Sequence, residues 1–105
     1  MAQTRLAHNV FFALNDNSED AKTKLTEACK KYLTGHPGTD FFTCGILAAD
    51  YKREVNDRDF DVSLHIVFAT KEDHDAYQVA DRHNQFIEEN KDNWKHVRVF
   101  DSLVD

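Results

Sequence analysis

Residues 60–68 decide the predicted fold, and they read Phe60-Asp61-Val62-Ser63-Leu64-His65-Ile66-Val67-Phe68. Successive side chains of a β-strand point to opposite faces of the sheet. The alternation therefore places one unbroken apolar set on a single face, namely Phe60, Val62, Leu64, Ile66 and Phe68. The opposite face carries Asp61, Ser63, His65 and Val67. This pattern predicts a strand with one face against the core.

A strand and a helix are predicted before this stretch. Residues 6–14 alternate as a strand, and one of its faces carries His8, Val10, Phe12 and Leu14. The polar residues 15–18 are typical of a turn and helix cap. A helix to about residue 33 is then predicted by an apolar stripe consisting of Ala21, Leu25, Ala28, Cys29, Tyr32 and Leu33. Gly35 and Pro37 indicate its end.

Two further strands and a loop complete the β pattern. Residues 41–49 predict a strand with apolar side chains on both of its faces. Residues 51–59 are a charged connection, which is typical of an exposed loop. Residues 95–104 predict the last strand.

Residues 70–91, between the third and fourth strands, have a helical period. Thr70 is a typical helix cap, with Asp73 in the place of the usual Glu of a capping box. The apolar stripe changes face partway along the segment. We therefore expect a break near residues 79–82, where Asp81 could cap a second short helix.

The element order is β-α-β-β-α-β, which is the α+β arrangement called ferredoxin-like, with both helices on one face of a four-stranded antiparallel sheet. A chain of 105 residues has room for a single domain, residues 1–105. The face without helices would expose Phe11, Ala13 and Val67. A second copy laid sheet to sheet would cover them, so we expect a homodimer that closes a dimeric α/β barrel with the helices outside.

Charge and composition exclude several classes of protein. A net charge of −6 argues against nucleic acid or an anionic membrane as a partner. No apolar run approaches the roughly 20 residues of a membrane span, and residues 1–5 lack the apolar part of a signal peptide. We therefore expect a cytoplasmic protein. There, Cys29 and Cys44 fit two buried free thiols better than a disulfide. A metal pair is less favoured still, since no CxxC spacing exists.

Tyr77 and His83 are the best candidates for chemistry. Histidine can act as a base near neutral pH, and a tyrosine hydroxyl can orient it or bind an oxyanion. Residues six apart are separated by about 240° on a continuous helix. The pair therefore converges only if the helix breaks between them. The alternative is a core tyrosine with its hydroxyl at the surface and a histidine bonded to the backbone.

The other histidines carry weaker hypotheses. His8 could polarise a substrate carbonyl, or it could be a satisfied core residue. We expect a structural hydrogen bond for His65 and a solvated side chain for His74 in a first helical turn. No two histidines have the i, i+4 spacing of a helical zinc site, and no glycine-rich phosphate loop exists, so we expect neither a metal nor a cofactor.

The chain resembles the stress-responsive dimeric α/β-barrel (Dabb) domain family over essentially its whole length. The resemblance is carried by the strand at 60–68, by Tyr77, His83 and Phe86, and by two further runs. These runs are His8-Asn9-Val10-Phe11-Phe12 and Phe100-Asp101. It implies a ferredoxin-like fold, dimerisation through the sheets, and a cavity between sheet and helices.

One relative in that family, the plant polyketide cyclase that makes olivetolic acid, uses a Tyr and a His six residues apart. The resemblance implies that Tyr77 and His83 match this pair and that His8 matches a histidine on its first strand. Ala80 and Asp81 stand where the family often has His-Pro, and Val62 stands where the cyclase has a histidine.

These observations leave two functions open. The first is a stress-related protein that binds a small apolar or aromatic ligand in the cavity. The second is a cofactor-free, polyketide-cyclase-like lyase with His83 as base, Tyr77 as its partner and His8 as a helper. In either case we expect the cavity walls to include Leu25, Cys29, Tyr32, Leu64 and Phe86.

Overall fold

The computed structural model describes residues 4–105. Within this range there are four strands: β1 Arg5–Leu14, β2 Thr39–Ile46, β3 Val62–Phe68 and β4 Trp94–Val104. The same residues form three α-helices: α1 Glu19–Tyr32, α2 Lys71–Gln78 and α3 Asp81–Asn90. A 3₁₀ turn, Lys91–Asn93, leads into the last strand. The strands form one antiparallel sheet in the order β2-β3-β1-β4, which confirms the ferredoxin-like arrangement.

The strand β1 lies at the centre of the sheet, between β3 and β4. Its register places His8 opposite Ile66 of β3 and Asp101 of β4. Residues directly opposite each other share a face, so these three side chains point toward the helices.

The helix α1 begins and ends as its sequence predicts. The Ser18 hydroxyl caps it by accepting a hydrogen bond from the Ala21 N–H at 3.2 Å. Just beyond its end, Gly35 has a φ of 75°, a conformation that glycine adopts at little cost. The stripe of this helix then packs on β2, β3 and α3.

The core lies between the helices and one face of the sheet. Its buried side chains are Val10, Phe12, Leu14, Leu25, Cys29, Tyr32, Leu33, Val62, Leu64, Ile66, Phe68, Tyr77 and Phe86. The two central strands therefore bury the faces that their alternation predicts. Within residues 4–105, no helix is both long and apolar enough to cross a bilayer. The interpretation of residues 1–5 falls mainly on residues 1–3, which lie outside the described part of the chain.

The predicted start of the third strand at Phe60 is wrong. The Asp61 N–H bonds to the Phe12 carbonyl at 2.8 Å, and the Asp61 carboxylate accepts from the Leu14 N–H at 2.8 Å. These bonds hold Asp61 against the end of β1, next to the first β3 pair, Phe12 with Val62. Phe60 packs against Phe11 on the face without helices, with ring centroids 4.9 Å apart.

Two other boundaries differ from their predictions. The strand β2 is shifted toward the N-terminus, because it begins directly after a turn at Gly38, where φ is 82°. The cap of α3 is Ala80 rather than Asp81, and Asp81 is the first helical residue. The predicted break itself is confirmed, since α2 ends at Gln78.

The face without helices is partly apolar. Phe41 and Phe100 are 54% and 52% exposed there, and Phe11 and Val67 are half-buried. Ala13, however, is buried, which corrects the prediction that it would be bare.

We predict that replacing Ile66 with Ala lowers the free energy of unfolding by about 2–5 kcal/mol, because the side chain is 1% exposed and its removal leaves a cavity in the core. Urea denaturation at fixed protein concentration measures this. Val79→Ala is the control, since Val79 is 74% exposed, and it should change stability by less than about 0.5 kcal/mol. Equal losses in both variants would contradict the assigned core.

Candidate functional site

The break between α2 and α3 brings Tyr77 and His83 together. The N–H groups of Val79 and Ala80 bond to the carbonyls of Ala76 and Tyr77 at 3.3 and 3.2 Å, which closes α2. Ala80 is extended, with φ −67° and ψ 146°, so α3 starts in a new direction. The rings of Tyr77 and His83 then lie edge to face with centroids 4.8 Å apart. Tyr77 and His83 therefore approach each other, which the sequence allows only if the helix breaks between them.

A cavity of about 450 Å³ lies beside this pair, between the helices α2 and α3 and the strands β1 and β4. It is lined by His8, Val10, Phe12, Leu33, Leu64, His74, Tyr77, Gln78, His83, Phe86, Ile87, Trp94, Val97, Val99 and Asp101. Val97 and Val99 are 37% and 51% exposed, so the cavity opens to solvent along β4. Tyr77 and His83 thus share one pocket with an accessible mouth.

A larger groove of about 600 Å³ lies beside the end of β1, near α1 and α3. Its walls include the charged side chains of Asp16, Asp20, Lys24 and Glu89, and it contains no histidine or tyrosine. Since acid–base chemistry near neutral pH usually needs a histidine, the smaller cavity is the better candidate for such chemistry.

Tyr77 and His83 carry buried polar atoms without partners. Within residues 4–105, neither the Tyr77 hydroxyl nor His83 Nδ1 has a hydrogen-bond partner. Burial raises the pKa of Tyr77, which keeps its hydroxyl protonated at neutral pH. Burial lowers the pKa of His83, and the neighbouring His8, His36 and His74 lower it further, so its imidazole is neutral. The pair offers a hydroxyl donor beside a neutral base.

His8 is held by a carboxylate. Its Nδ1 lies 2.6 Å from Asp101 Oδ1, and the side chain is only 4% exposed. Burial lowers the pKa of His8, and the bond to Asp101 opposes that effect. The ring lies edge to face with Tyr77, with centroids 5.8 Å apart. His8 is therefore a hydrogen-bonded, buried residue that also lines the cavity. Its predicted role in polarising a substrate carbonyl stays a prediction.

His74 is not solvated, and the prediction that it would be is wrong. Its side chain is 11% exposed and packs against His8 and Phe68, with ring centroids 4.9 and 5.6 Å apart. The first turn of α2 lies over β1 and β3, which brings this residue onto the sheet. Donor atoms of His8, His74 and Asp101 lie within 4.8 Å of one another, so this cluster could hold a metal ion.

Sequence reasoning did not place His36, His74 or Asp101 around Tyr77 and His8. His36 is buried, its Nε2 donates to the Tyr32 carbonyl at 2.7 Å, and its ring lies 5.0 Å from that of Tyr77. Only Asp101 carried a signal, since it belongs to the Phe100-Asp101 run on which the resemblance rests.

The predicted wall residues divide into two groups. Leu64 and Phe86 line the cavity, whereas Leu25, Cys29 and Tyr32 lie in the core elsewhere. The reason is that α1 packs over β2, β3 and α3, away from the mouth at β4.

Those core residues have roles of their own. The Tyr32 hydroxyl donates to the Glu89 carboxylate at 2.7 Å. Cys29 and Cys44 are free thiols, and a hydrogen bond from Cys29 lowers the pKa of Cys44. Cys29, Tyr32 and Cys44 are not among the described residues that line the cavity.

His65 makes structural hydrogen bonds, as predicted. Its Nδ1 lies 2.8 Å from Asn9 Oδ1 and its Nε2 lies 3.0 Å from Ser63 Oγ. These bonds hold polar side chains in place on the face without helices.

Solved structures with the same fold are numerous. A dimeric ferredoxin-like protein of unknown function from Thermobifida fusca superposes with a TM-score of 0.79 at 13% identity, covering 99% of this chain and 94% of that one. A Dabb family protein from Mesorhizobium loti gives 0.79 at 18% identity, covering 95% and 96%. A hydroxynitrile lyase from Passiflora edulis gives 0.77 at 15% identity, covering 99% and 96%. At such identities these likenesses show the fold alone.

The sequence comparisons identify the family. No curated protein matches the chain. The family model described as the stress responsive A/B barrel domain matches residues 6–104. That match covers nearly the whole sheet and all the helices. The chain therefore belongs to the stress-responsive A/B barrel domain (Dabb) family.

Proposed function

We propose that this chain binds a small apolar or aromatic molecule in the cavity beside Tyr77 and His83. The observation that carries the proposal is the pair of buried polar atoms without partners, the Tyr77 hydroxyl and His83 Nδ1, in side chains that line a mostly apolar cavity. An unpaired buried polar group costs about 1–3 kcal/mol. A ligand with one matching hydrogen-bonding group would remove part of that cost, and its apolar body would contact Leu64 and Phe86.

The size and chemistry of the cavity support this proposal. Ligand pockets commonly measure about 300–1,000 Å³ and combine apolar walls with a few polar groups. The cavity of about 450 Å³ falls in that range, and most of its lining is aliphatic or aromatic. The polar groups converge at one end, around Tyr77, His83 and His8, which would fix the orientation of a bound molecule.

We predict that a matching aromatic compound or β-polyketone raises the melting temperature of the protein. A ligand at ten times its Kd stabilises by about 1.4 kcal/mol, which corresponds to about 6 °C for a domain of this size. Thermal-shift screening in the presence of a chelator measures this. His83→Ala should reduce the shift, and the control His96→Ala, remote from the cavity lining, should keep it. A shift that persists unchanged in His83→Ala would count against this site.

A cofactor-free lyase of the polyketide-cyclase type is the second candidate. The approach of the Tyr77 and His83 rings to 4.8 Å favours it. His83 would take a proton from a carbon next to a carbonyl, and the Tyr77 hydroxyl would donate to the oxygen that gains negative charge. His8, which is hydrogen-bonded to Asp101, would contact the substrate. The hydroxynitrile lyase with this fold supports the idea that the scaffold can host lyase chemistry.

We predict that the protein accelerates exchange of acidic C–H protons of a β-diketone with solvent deuterium, which NMR can follow. His83→Asn and Tyr77→Phe should each reduce the acceleration by about 100-fold, the usual contribution of a positioned acid or base. His96→Ala is the matched control. A wild-type protein that binds the diketone but leaves its exchange rate at the background level would remove the lyase and leave ligand binding intact.

We also propose a homodimer joined through the faces without helices. Phe11 contacts Phe60 and Phe100 there, with ring centroids 4.9 and 5.7 Å apart, and forms an aromatic cluster at the surface. A second copy would bury this cluster together with Phe41. The Thermobifida protein with this fold is described as dimeric, which supports the proposal.

We predict that Phe100→Glu shifts the protein from dimer to monomer, because the charge would be buried without a partner in the interface. Light scattering coupled to size-exclusion chromatography gives the mass. Val79→Glu is the control, since this exposed residue lies between α2 and α3 on the other side of the sheet. A wild-type protein that is monomeric at micromolar concentration would contradict the dimer.

A cytoplasmic location stays a prediction for this chain. The two free thiols, Cys29 and Cys44, support it, because thiols stay reduced in that compartment. The family is described as stress responsive, which suggests that such a protein acts under stress. We propose that it acts by binding a ligand in the cavity.

A further inference from the structure

We propose that His8, His74 and Asp101 form a binding site for one divalent transition-metal ion, such as Zn²⁺, at the polar end of the cavity. The residues come from β1, α2 and β4, and the sheet register and the packing of α2 bring them together. Two imidazoles and one carboxylate are a ligand set typical of zinc and non-haem iron. The proposal goes beyond the proposed function and does not depend on it.

The distances suit an ion after small side-chain movements. Asp101 Oδ1 lies 2.6 Å from His8 Nδ1 and 4.0 Å from His74 Nε2. Bonds of about 2.0–2.2 Å to zinc hold neighbouring ligand atoms about 3.0–3.5 Å apart. The His8–Asp101 pair would therefore open slightly, and the His74–Asp101 pair would close by a similar amount.

The hydrogen bonds of His74 direct its free lone pair to the cluster. Its Nδ1 lies 3.3 Å from Asp75 Oδ1, and a carboxylate can only accept, so Nδ1 carries the proton. Nε2 then faces Asp101 with its lone pair. A carboxylate that binds the other nitrogen of a histidine in this way is common around metal ligands and fixes the tautomer. Asp75 would be a positioning residue for the site.

The side-chain amide of Gln78 lies where it could take part. Its Nε2 is 3.0 Å from His74 Nε2 and donates to that lone pair. An ion at Nε2 would displace this bond, and a half-turn of the amide would present an oxygen instead of the nitrogen. His8 would change tautomer, with its proton moving to Nε2, so that Nδ1 could bind the ion. The remaining positions on the ion would face the cavity, which all four side chains line.

The ligand set also selects the class of ion. Ca²⁺ and Mg²⁺ prefer oxygen ligands, whereas two imidazoles favour Zn²⁺ and its neighbours in the transition series. In the forms that bind a metal, two imidazoles and one carboxylate carry one negative charge, and the whole chain has a net charge of −6. The negative charge of the ligand set and the negative charge of the whole chain both favour the binding of a cation.

Isothermal titration of untagged, chelator-treated protein with Zn²⁺, without organic ligand, tests the site. We expect one Zn²⁺ per chain and no binding of Mg²⁺ in a parallel titration. Asp101→Asn and His74→Ala should each weaken Zn²⁺ binding by at least about tenfold. His96→Ala is the control, since His96 lies on β4 outside the cluster, and it should bind as tightly as the wild type.

NMR of the histidine rings tests the same site in the unaltered protein, so the result does not depend on the folding of a variant. Zn²⁺ should shift the ring signals of His8 and His74 and leave those of His96 in place. The proposal is overturned if Zn²⁺ does not bind, if both cluster variants bind it like the wild type, or if His96→Ala loses it. Because the ligand screen contains a chelator, its failure and the failure of metal binding are separate results.

Discussion

The interruption of the helical segment at Val79 and Ala80 is the constraint on which the site depends. On one continuous helix, a rotation of about 240° separates Tyr77 from His83, so the two side chains would point in directions about 120° apart. Two short helices with an extended residue between them let both side chains face one cavity. The same break lets α3 pack on α1 while α2 lies over β1 and β3. The backbone at this point therefore determines both the pair and the space beside it.

Much of the fold could be predicted because its signals are local. Alternation in residues 6–14 and 60–68 identified both central strands, and the apolar stripe of residues 21–33 identified α1. The element order then leaves few topologies for a chain of this size. The errors lie at the ends of elements, where single side chains compete with the ladder. The Asp61 carboxylate, which accepts from the Leu14 N–H, is the clearest case.

The site was predicted only in part, because most of it is built by contacts between distant segments. The Tyr77–His83 spacing could be recognised within one helical segment. The bond between His8 and Asp101 joins residues 93 apart in the chain and follows from the pairing register of β1 with β4. No local pattern encodes that register. The burial of His74 depends on how the first turn of α2 lies on the sheet, which propensity and periodicity do not determine.

The strand β4 forms the mouth of the cavity, and this has a kinetic consequence. A hydrogen-bonded strand is a rigid rim, unlike the mobile lids that open and close over many enzyme sites on microsecond to millisecond timescales. A molecule entering past Val97 and Val99 would meet little backbone barrier. Its residence time would then be governed by the contacts it makes inside, so discrimination among compounds would appear in their dissociation rates rather than in their rates of entry.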